Sequence, residues 1–308
     1  MSYKNVTAPK LVASLDGAIV GGSFHKKLGS VALVAHNPSG LAIVGQSGSP
    51  ARTLGVSLDE PSDIALISRD LAAVRSGSQV WSLVDLAHKP RVDPLMDDVK
   101  QLVGPQGDKA LALGWDNRGH ELAPGKNDVD VRAFPLRGAH RCVDVGEVET
   151  YAIVDGDGDG ELRVHPGASP EQGSLTKVAL PLGAKRLDRL RGARFLQVAW
   201  KRGDATVCAV KRAGNRMDPK LTRLDAPVND LVVVDDCFVA ATSDGQLRLY
   251  DPAAIDAATA SRIEPKSTTS AGGSGDPTTL VVAGTTLFVG TSSGEILTAT
   301  IVRAQAFY

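Results

Sequence analysis

The sequence is poor in aromatic residues, in cysteine and in long apolar runs. Phe, Trp and Tyr make up 4% of the chain, so its core must be built mainly from Val, Leu, Ile and Ala. The three cysteines (Cys142, Cys208 and Cys237) are widely spaced without a CxxC pair, which argues against a disulfide framework or zinc site and favours a reducing compartment. No stretch approaches the ~20 apolar residues that span a bilayer, and the N-terminus lacks the apolar segment of a signal peptide. We therefore expect a cytoplasmic protein.

The chain also lacks a charge bias and recognisable catalytic motifs. Its net charge is −1, so nothing draws the whole molecule towards nucleic acid or an anionic membrane. GxSxG, HExxH, P-loop and dinucleotide fingerprints are absent, and we predict a protein that is not an enzyme. What the sequence has in quantity is turn formers, with 32 Gly and 17 Pro. Heavy use of Ala, Gly, Asp, Arg and Val is typical of a GC-rich bacterial genome.

A repeated pattern of short strands runs along the chain. Residues 231–251 (LVVVDDCFVAATSDGQLRLYD) align without a gap to residues 280–300 (LVVAGTTLFVGTSSGEILTAT). Both contain an apolar strand, a polar turn, a second apolar strand, a tight turn with Gly, and a third strand. Weaker copies upstream bring the number of units to seven, with second strands spaced by 41 residues on average. That spacing matches a propeller blade of four short strands.

The repeat predicts an all-β, seven-bladed β-propeller of four-stranded antiparallel blades. A β-sandwich has no fixed period, and the helical spacing that a solenoid requires is nearly absent. Six or eight blades are the alternative counts, because residues 10–23 (KLVASLDGAIVGGS) form a further possible hairpin. We interpret this N-terminal segment instead as the outer strand that closes the last blade. The single domain, 1–308, then divides into blades at residues 28–55, 56–92, 93–137, 138–182, 183–225, 226–270, and 275–308 plus 6–20.

Blade 6 carries the motif of a known family. Residues 243–251 (SDGQLRLYD) resemble the third strand of WD40 repeats, which ends in Trp-Asp, with Tyr250 in the position of the Trp. Residues 76–81 (SGSQVW) are a fainter copy, and residues 138–140 (Gly-Ala-His) are a distorted form of the family's Gly-His dipeptide. The resemblance implies a WD40-like propeller that acts as a scaffold for protein–protein interactions.

An acidic turn in blade 4 is the candidate metal site. Asp155, Asp157 and Asp159 alternate with glycines, which matches the first half of a calcium loop. Calcium requires several hard oxygen ligands, and this spacing lets a tight turn converge them. The twelfth position is Pro166, where an EF-hand has a bidentate Glu. The simpler interpretation is a plain turn between the second and third strands, which would leave the protein without a cofactor.

Charge is distributed unevenly along the chain. Residues 185–223 hold twelve Lys and Arg against three acids, or +9, whereas residues 143–171 and 225–264 carry −7 and −6. One interpretation is a basic patch on blade 5 that binds an anionic partner such as nucleic acid or phosphate. The other is neutralisation between neighbouring blades. We favour the second, and nucleic acid is disfavoured because no aromatic residues are interleaved with the basic ones.

Two tryptophans begin turns at matching places in blades 3 and 5. Trp115 and Trp200 each lie five residues into the second strand, and in a propeller these turns share one rim. Trp and Arg are frequent at binding hot spots. We therefore predict a protein-binding face on blades 3–5, formed by these residues: Trp115, Arg118, Trp200, Lys201 and Arg202. The alternative is that each tryptophan covers the end of its own blade.

Overall fold

The computed structural model is a closed ring of seven β-sheets. It describes residues 3–48, 51–106, 109–126, 128–136, 138–146, 149–156, 159–167, 176–214, 216–258 and 262–303. Asp157, one of the three candidate calcium ligands, lies outside these ranges. The prediction of an all-β, seven-bladed propeller with four antiparallel strands per blade is confirmed.

The elements follow one another in a strict order, with each blade running from its innermost to its outermost strand. The strands are β1 (Tyr3–Val6), β2 (Lys10–Ser14), β3 (Ala18–His25), β4 (Ser30–His36), β5 (Gly40–Gly45), β6 (Ala51–Gly55), β7 (Pro61–Leu66), β8 (Leu71–Ser76), β9 (Gln79–Val84), β10 (Arg91–Met96), β11 (Val99–Gln106), β12 (Lys109–Gly114), β13 (Arg118–Pro124), β14 (Val129–Pro135), β15 (His140–Val145), β16 (Glu149–Val154), β17 (Glu161–Pro166), β18 (Thr176–Ala179), β19 (Arg189–Ala193), β20 (Leu196–Trp200), β21 (Thr206–Ala213), β22 (Arg216–Arg223), β23 (Val228–Val234), β24 (Cys237–Thr242), β25 (Gln246–Tyr250), β26 (Ser267–Ser270), β27 (Pro277–Ala283), β28 (Thr286–Thr291) and β29 (Glu295–Arg303).

Blades 1 to 6 take four consecutive strands each, from β3 to β26. Blade 7 combines β27, β28 and β29 with the N-terminal strands β1 and β2, which both pair with β29. The predicted closing strand is therefore present. A 3₁₀ turn (Ala184–Arg186) precedes blade 5, and a short helix, α1 (Pro252–Ala257), lies between β25 and β26.

Strand alternation explains the long apolar runs of the sequence. In β4, Val31 and Leu33 belong to the cluster shared with blade 7, whereas Ala32 and Val34 belong to the cluster shared with blade 2. Successive side chains point to opposite faces of a sheet, and both faces of a blade are covered by its neighbours. Among the described residues, an apolar cluster of this kind lies between every neighbouring pair of blades, including blades 7 and 1.

The structure differs from the predicted boundaries at the first blade. The inner strand of blade 1 is β3, part of which had been assigned to the closing strand, and residues 31–35 lie in the second strand. The pattern of β3 is interrupted by Gly21 and Gly22. A Cβ on Gly21 would lie 2.4 Å from the Ser62 carbonyl oxygen, and one on Gly22 would lie 2.5 Å from the Val281 side chain. Close approach of β7 and β27 therefore requires glycine in this strand.

The antiparallel order divides the loops between two rims. Connections from the second to the third strand, and from one blade to the next, leave the same end of the sheets, which we call the upper rim. Inner strands enter from this rim, and those of blades 3 and 4 have a β-bulge there, between Val99 and Gln101 and between His140 and Cys142. A bulge redirects the extra side chain. It thereby sends Lys100 and Arg141 towards the upper rim of the two blades.

Candidate interaction surface

Trp115 is the most exposed aromatic side chain of the upper rim among the described residues. It follows the last residue of β12, Gly114, and 66% of its surface is exposed. The Lys100 amine lies 5.8 Å from the centre of its ring, within the range of a cation–π contact. Partial burial lowers the pKa of Lys100. Arg118, on the other side of the turn, is exposed and lies 3.4 Å from Asp116. Both side chains, Trp115 and Arg118, are accessible on the upper rim, and their role in binding stays a prediction.

Trp200 lies elsewhere, and its assignment to the binding face requires correction. It is the last residue of β20, only 1% exposed, and it packs in the core between blades 5 and 6. Leu196, Val198 and Trp200 are alternate residues of β20, so all three side chains point into the same core cluster. Trp115 lies one residue beyond the end of its strand and is not part of such a series. The sequence contains a signal for this burial, because Trp200 is two residues after the apolar Val198 and therefore on the same face of the strand. Its ring is unavailable to a partner.

The acidic turn of blade 4 is in contact with an arginine of the inner strand, Arg141 of β15. The Arg141 guanidinium lies 2.8 Å from a carboxylate oxygen of Asp155. It also donates to the Asp159 carbonyl oxygen and, at 3.0 Å, to that of Ala184. The Oδ2 atom of Asp159 is buried without a hydrogen-bond partner among the described residues. Within the same ranges, no group of three His, Cys, Asp or Glu side chains is placed to hold a metal ion.

Part of the excess positive charge of blade 5 is neutralised by its neighbours. Arg191 lies 3.1 Å from Asp144 of blade 4, and its guanidinium also faces the more distant Asp230 and Asp63. Two further cations make the same kind of contact: Arg212 pairs with Glu149 at 2.7 Å, and Lys211 pairs with Asp256 at 2.5 Å. Neutralisation between neighbouring blades therefore accounts for part of the charge pattern, and binding of an anionic partner stays a prediction.

The unpaired cations meet in an open cleft on the upper rim between blades 5 and 6, with a volume of about 870 Å³. Four segments contribute to this basic cleft: Arg186 before blade 5, the turn at residues 201–205, the connection at residues 223–227, and Arg262 from the loop after β25. Among the described residues, four of its cations make no ion pair: Arg186, Lys201, Arg202 and Arg223. Lys201 and Arg202 were predicted as binding residues. Arg186 and Arg223 belong to the basic stretch at residues 185–223, whereas Arg262 lies outside it, and only the fold brings the three together.

Two carboxylates lie in the same cleft. Asp225 holds Arg262 at 3.0 Å. Asp204 accepts a hydrogen bond from the Thr206 amide at 2.9 Å, and this bond, with a smaller contribution from nearby Arg223, lowers the pKa of Asp204. Asp204 is therefore charged at neutral pH. The cleft is rich in positive charge, but it also presents acceptors.

These features define a class of protein, the seven-bladed β-propeller of WD40-like architecture. No protein-family model matches the sequence, and no curated protein matches it significantly. Solved structures do match. Raptor from Chaetomium thermophilum superposes with a TM-score of 0.65 at 12% identity, over 97% of this chain and 30% of that one. The Pan2 WD40 domain of Neurospora crassa gives a TM-score of 0.61 at 9% identity, over 99% and 96% of the two chains.

A computationally designed propeller, Ika8, matches as well, with a TM-score of 0.60 at 12% identity over 98% of this chain and all of that one, 100%. Identities this low establish the fold alone. WD40-type propellers commonly mediate protein interactions and are usually non-catalytic. In the described part of the chain, no helix is long and apolar enough to cross a membrane.

Proposed function

We propose that this chain is a non-enzymatic interaction platform that binds a protein partner on the upper rim of blades 3–5. The exposed ring of Trp115 carries the proposal. Covering a large exposed aromatic ring removes apolar surface from water, and tryptophan is therefore frequent at the centres of protein-binding surfaces. Lys100 lies against the ring and Arg118 lies on the other side of the same turn, an arrangement that resembles an aromatic anchor with polar neighbours at an interface.

The lower rim supplies a matched control for Trp115. Phe195, between β19 and β20, is 47% exposed, and the Arg194 guanidinium lies 5.4 Å from its ring centre. It therefore has the same chemistry at the opposite end of the ring. Affinity purification from the source cells, with quantitative mass spectrometry, compares Trp115→Ala and Phe195→Ala with the wild type.

We expect Trp115→Ala to lose a set of proteins that Phe195→Ala retains, with unfolding midpoints nearly equal to wild type. Surface substitutions change stability by only about 0.5 kcal/mol, so a lost partner then reports contact and not unfolding. Equal losses from both variants, or no loss from either, would exclude this face as the binding site.

A calcium-dependent role for the turn at residues 155–159, in ligand binding or hydrolysis, is a second candidate. The unpartnered oxygen of Asp159 favours it, and the ion pair between Arg141 and Asp155 opposes it. Binding of nucleic acid or phosphate by blade 5 is a third candidate, favoured by the unpaired cations of the basic cleft.

A further inference from the structure

We propose that the basic cleft between blades 5 and 6 binds an acidic peptide segment of a protein partner. This inference rests on the proposed role of the upper rim as an interaction platform, and it adds the chemistry of what that rim recognises. The cleft is a separate location from Trp115, with blade 4 between them, so the two can be tested independently.

Unpaired cations in a concave surface are the first argument. Some basic residues of blade 5 are matched by a carboxylate of a neighbouring blade, as Arg191 is by Asp144 and Arg212 by Glu149. Arg186, Lys201, Arg202 and Arg223 have no such match among the described residues, although they converge from three separate connections. Low-dielectric walls focus the field of like charges and raise the local concentration of an anionic ligand.

The cleft is also rigid where it carries charge. The turn at residues 201–205 is tied to blade 6, because the Gly203 amide donates to the Val228 carbonyl at 2.8 Å and the Val228 amide donates to the Asp204 carbonyl at 2.9 Å. Gly203 has φ = +79°, a left-handed conformation that suits glycine and lets the turn reverse tightly. Lys201 and Arg202 therefore extend from a fixed backbone, which reduces the entropy lost when a ligand binds.

The lining favours a peptide over a nucleic acid. Asp204 and Asp225 lie among the cations, and a strand with a phosphate at every step would bring negative charge against both carboxylates. A peptide can direct backbone N–H groups to them and carboxylates to the arginines, whose planar guanidinium groups match a carboxylate with two hydrogen bonds. The residues that line the cleft include no aromatic side chain on which bases would stack.

Fluorescence anisotropy with defined probes tests the inference. The probes are a labelled peptide of alternating Glu and Gly, a peptide of alternating Lys and Gly, and labelled oligothymidylate, each at low and moderate salt. The variants are Arg202→Ala and Arg223→Ala, with Arg194→Ala as the matched control, since Arg194 is an exposed arginine of the same blade at the lower rim. All three side chains are exposed, and thermal unfolding verifies that the variants fold.

We expect the Glu/Gly peptide to bind the wild type with an affinity that falls as salt rises. Arg202→Ala and Arg223→Ala should each weaken binding about tenfold, because a charge-assisted hydrogen bond contributes roughly 1.4 kcal/mol or more. Arg194→Ala should bind as the wild type does. Absence of peptide binding, or equal weakening by Arg194→Ala, would overturn the inference.

Tighter binding of oligothymidylate than of the Glu/Gly peptide would also overturn it, in favour of a nucleic-acid site. Trp115→Ala separates this inference from the proposed function. If Trp115→Ala loses cellular partners while the peptide fails to bind the wild type, only the cleft assignment fails. If the peptide binds the cleft while Trp115→Ala and Phe195→Ala retain the same partners, only the assignment of the face around Trp115 fails.

Discussion

Trp200 is the largest of the fully buried side chains, and its contacts join blades 5 and 6. It packs with Leu231, Phe238 and Tyr250 in one apolar cluster, in which the last two rings are stacked with centroids 4.5 Å apart. Its indole Nε1 has no hydrogen-bond partner among the described residues. A buried donor without a partner lowers stability, so the ring stabilises the fold through packing alone.

We predict that Trp200→Ala lowers the free energy of unfolding by about 3–5 kcal/mol, the usual cost of removing a buried aromatic side chain. Trp200→Phe should cost much less, since it keeps most of the ring contacts and removes the unpartnered N–H. Urea unfolding of both variants, beside Trp115→Ala, measures the difference. A small loss in Trp200→Ala would contradict the core position.

Arg141 decides whether the acidic turn of blade 4 accepts a cation. Its guanidinium neutralises Asp155 and contacts the backbone of Asp159, so a calcium ion would have to displace it. We predict no heat of binding when calcium is titrated into the wild type by calorimetry. Arg141→Ala tests whether the turn binds calcium once the competing charge is removed. Binding to the wild type that is lost in Asp157→Ala would instead support the calcium role.

At the scale of elements, strand β25 is fixed by a carboxylate at each end. Asp244, in the turn before it, pairs with Arg248 at 2.5 Å, and that hydrogen bond lowers the pKa of Asp244. Asp251, after it, caps α1 by accepting from the Ala254 amide at 3.0 Å and also pairs with Lys266. Burial alone would raise the pKa of Asp251, but these bonds outweigh it and the pKa is lowered. Asp244 with Arg248 and Thr242 forms a polar network that ties the turn.

These lowered pKa values predict acid sensitivity of blade 6. A carboxylate whose pKa is lower in the folded state stabilises the fold above its unfolded pKa of about 4, and this stabilisation is lost as the pH falls through the folded value. We expect Asp251→Asn to be less stable than wild type at neutral pH, and its stability to fall less steeply below about pH 4. Urea midpoints measured across this range test the prediction. Parallel curves for the two proteins would contradict it.

The elements that the sequence predicts well are those buried on both faces. Apolar runs such as those of β24 and β28 identify second strands, because neighbouring blades cover both faces of each sheet. Strand β3 is harder to recognise as an inner strand, because the backbone of β7 packs directly against Gly21 and leaves no space for an apolar side chain there. The basic cleft is hard to recognise too. Arg186, Arg223 and Arg262 are far apart in the chain, and only the packing of blade 5 against blade 6 brings them together.

At the scale of the whole molecule, the ring is closed by the two N-terminal strands. Tyr3 is fully buried, and its hydroxyl donates to Asp235 of blade 6 at 2.6 Å, while Thr269 of the same blade donates to the Val6 carbonyl at 2.9 Å. The N-terminal strands therefore join blades 6 and 7 as well as covering β29. Without them, β29 would present unpaired backbone groups at an open edge.

We predict that deletion of residues 1–14 lowers the unfolding midpoint and promotes self-association, because the exposed edge of β29 is free to pair with another copy. A synthetic peptide of residues 1–14, added in trans, should reverse this self-association. Light scattering after size-exclusion chromatography and thermal unfolding measure both effects. A deletion variant that remains monomeric with an unchanged midpoint would show that blade 7 is stable with three strands.

The pairing of β1 and β2 with β29 also delays completion of the fold during synthesis. Tyr3 meets Arg303 in the register of β1 and β29, so about 300 further residues must leave the ribosome after Tyr3 before this contact forms. At the usual rate of roughly 5–20 residues per second, that delay is roughly 15–60 s. During it, blades 1 to 6 can assemble only as an open arc, and the apolar side chains of β1 stay uncovered. A nascent chain of this design is therefore exposed to aggregation until β29 has left the ribosome, and chaperone protection matters most in that interval.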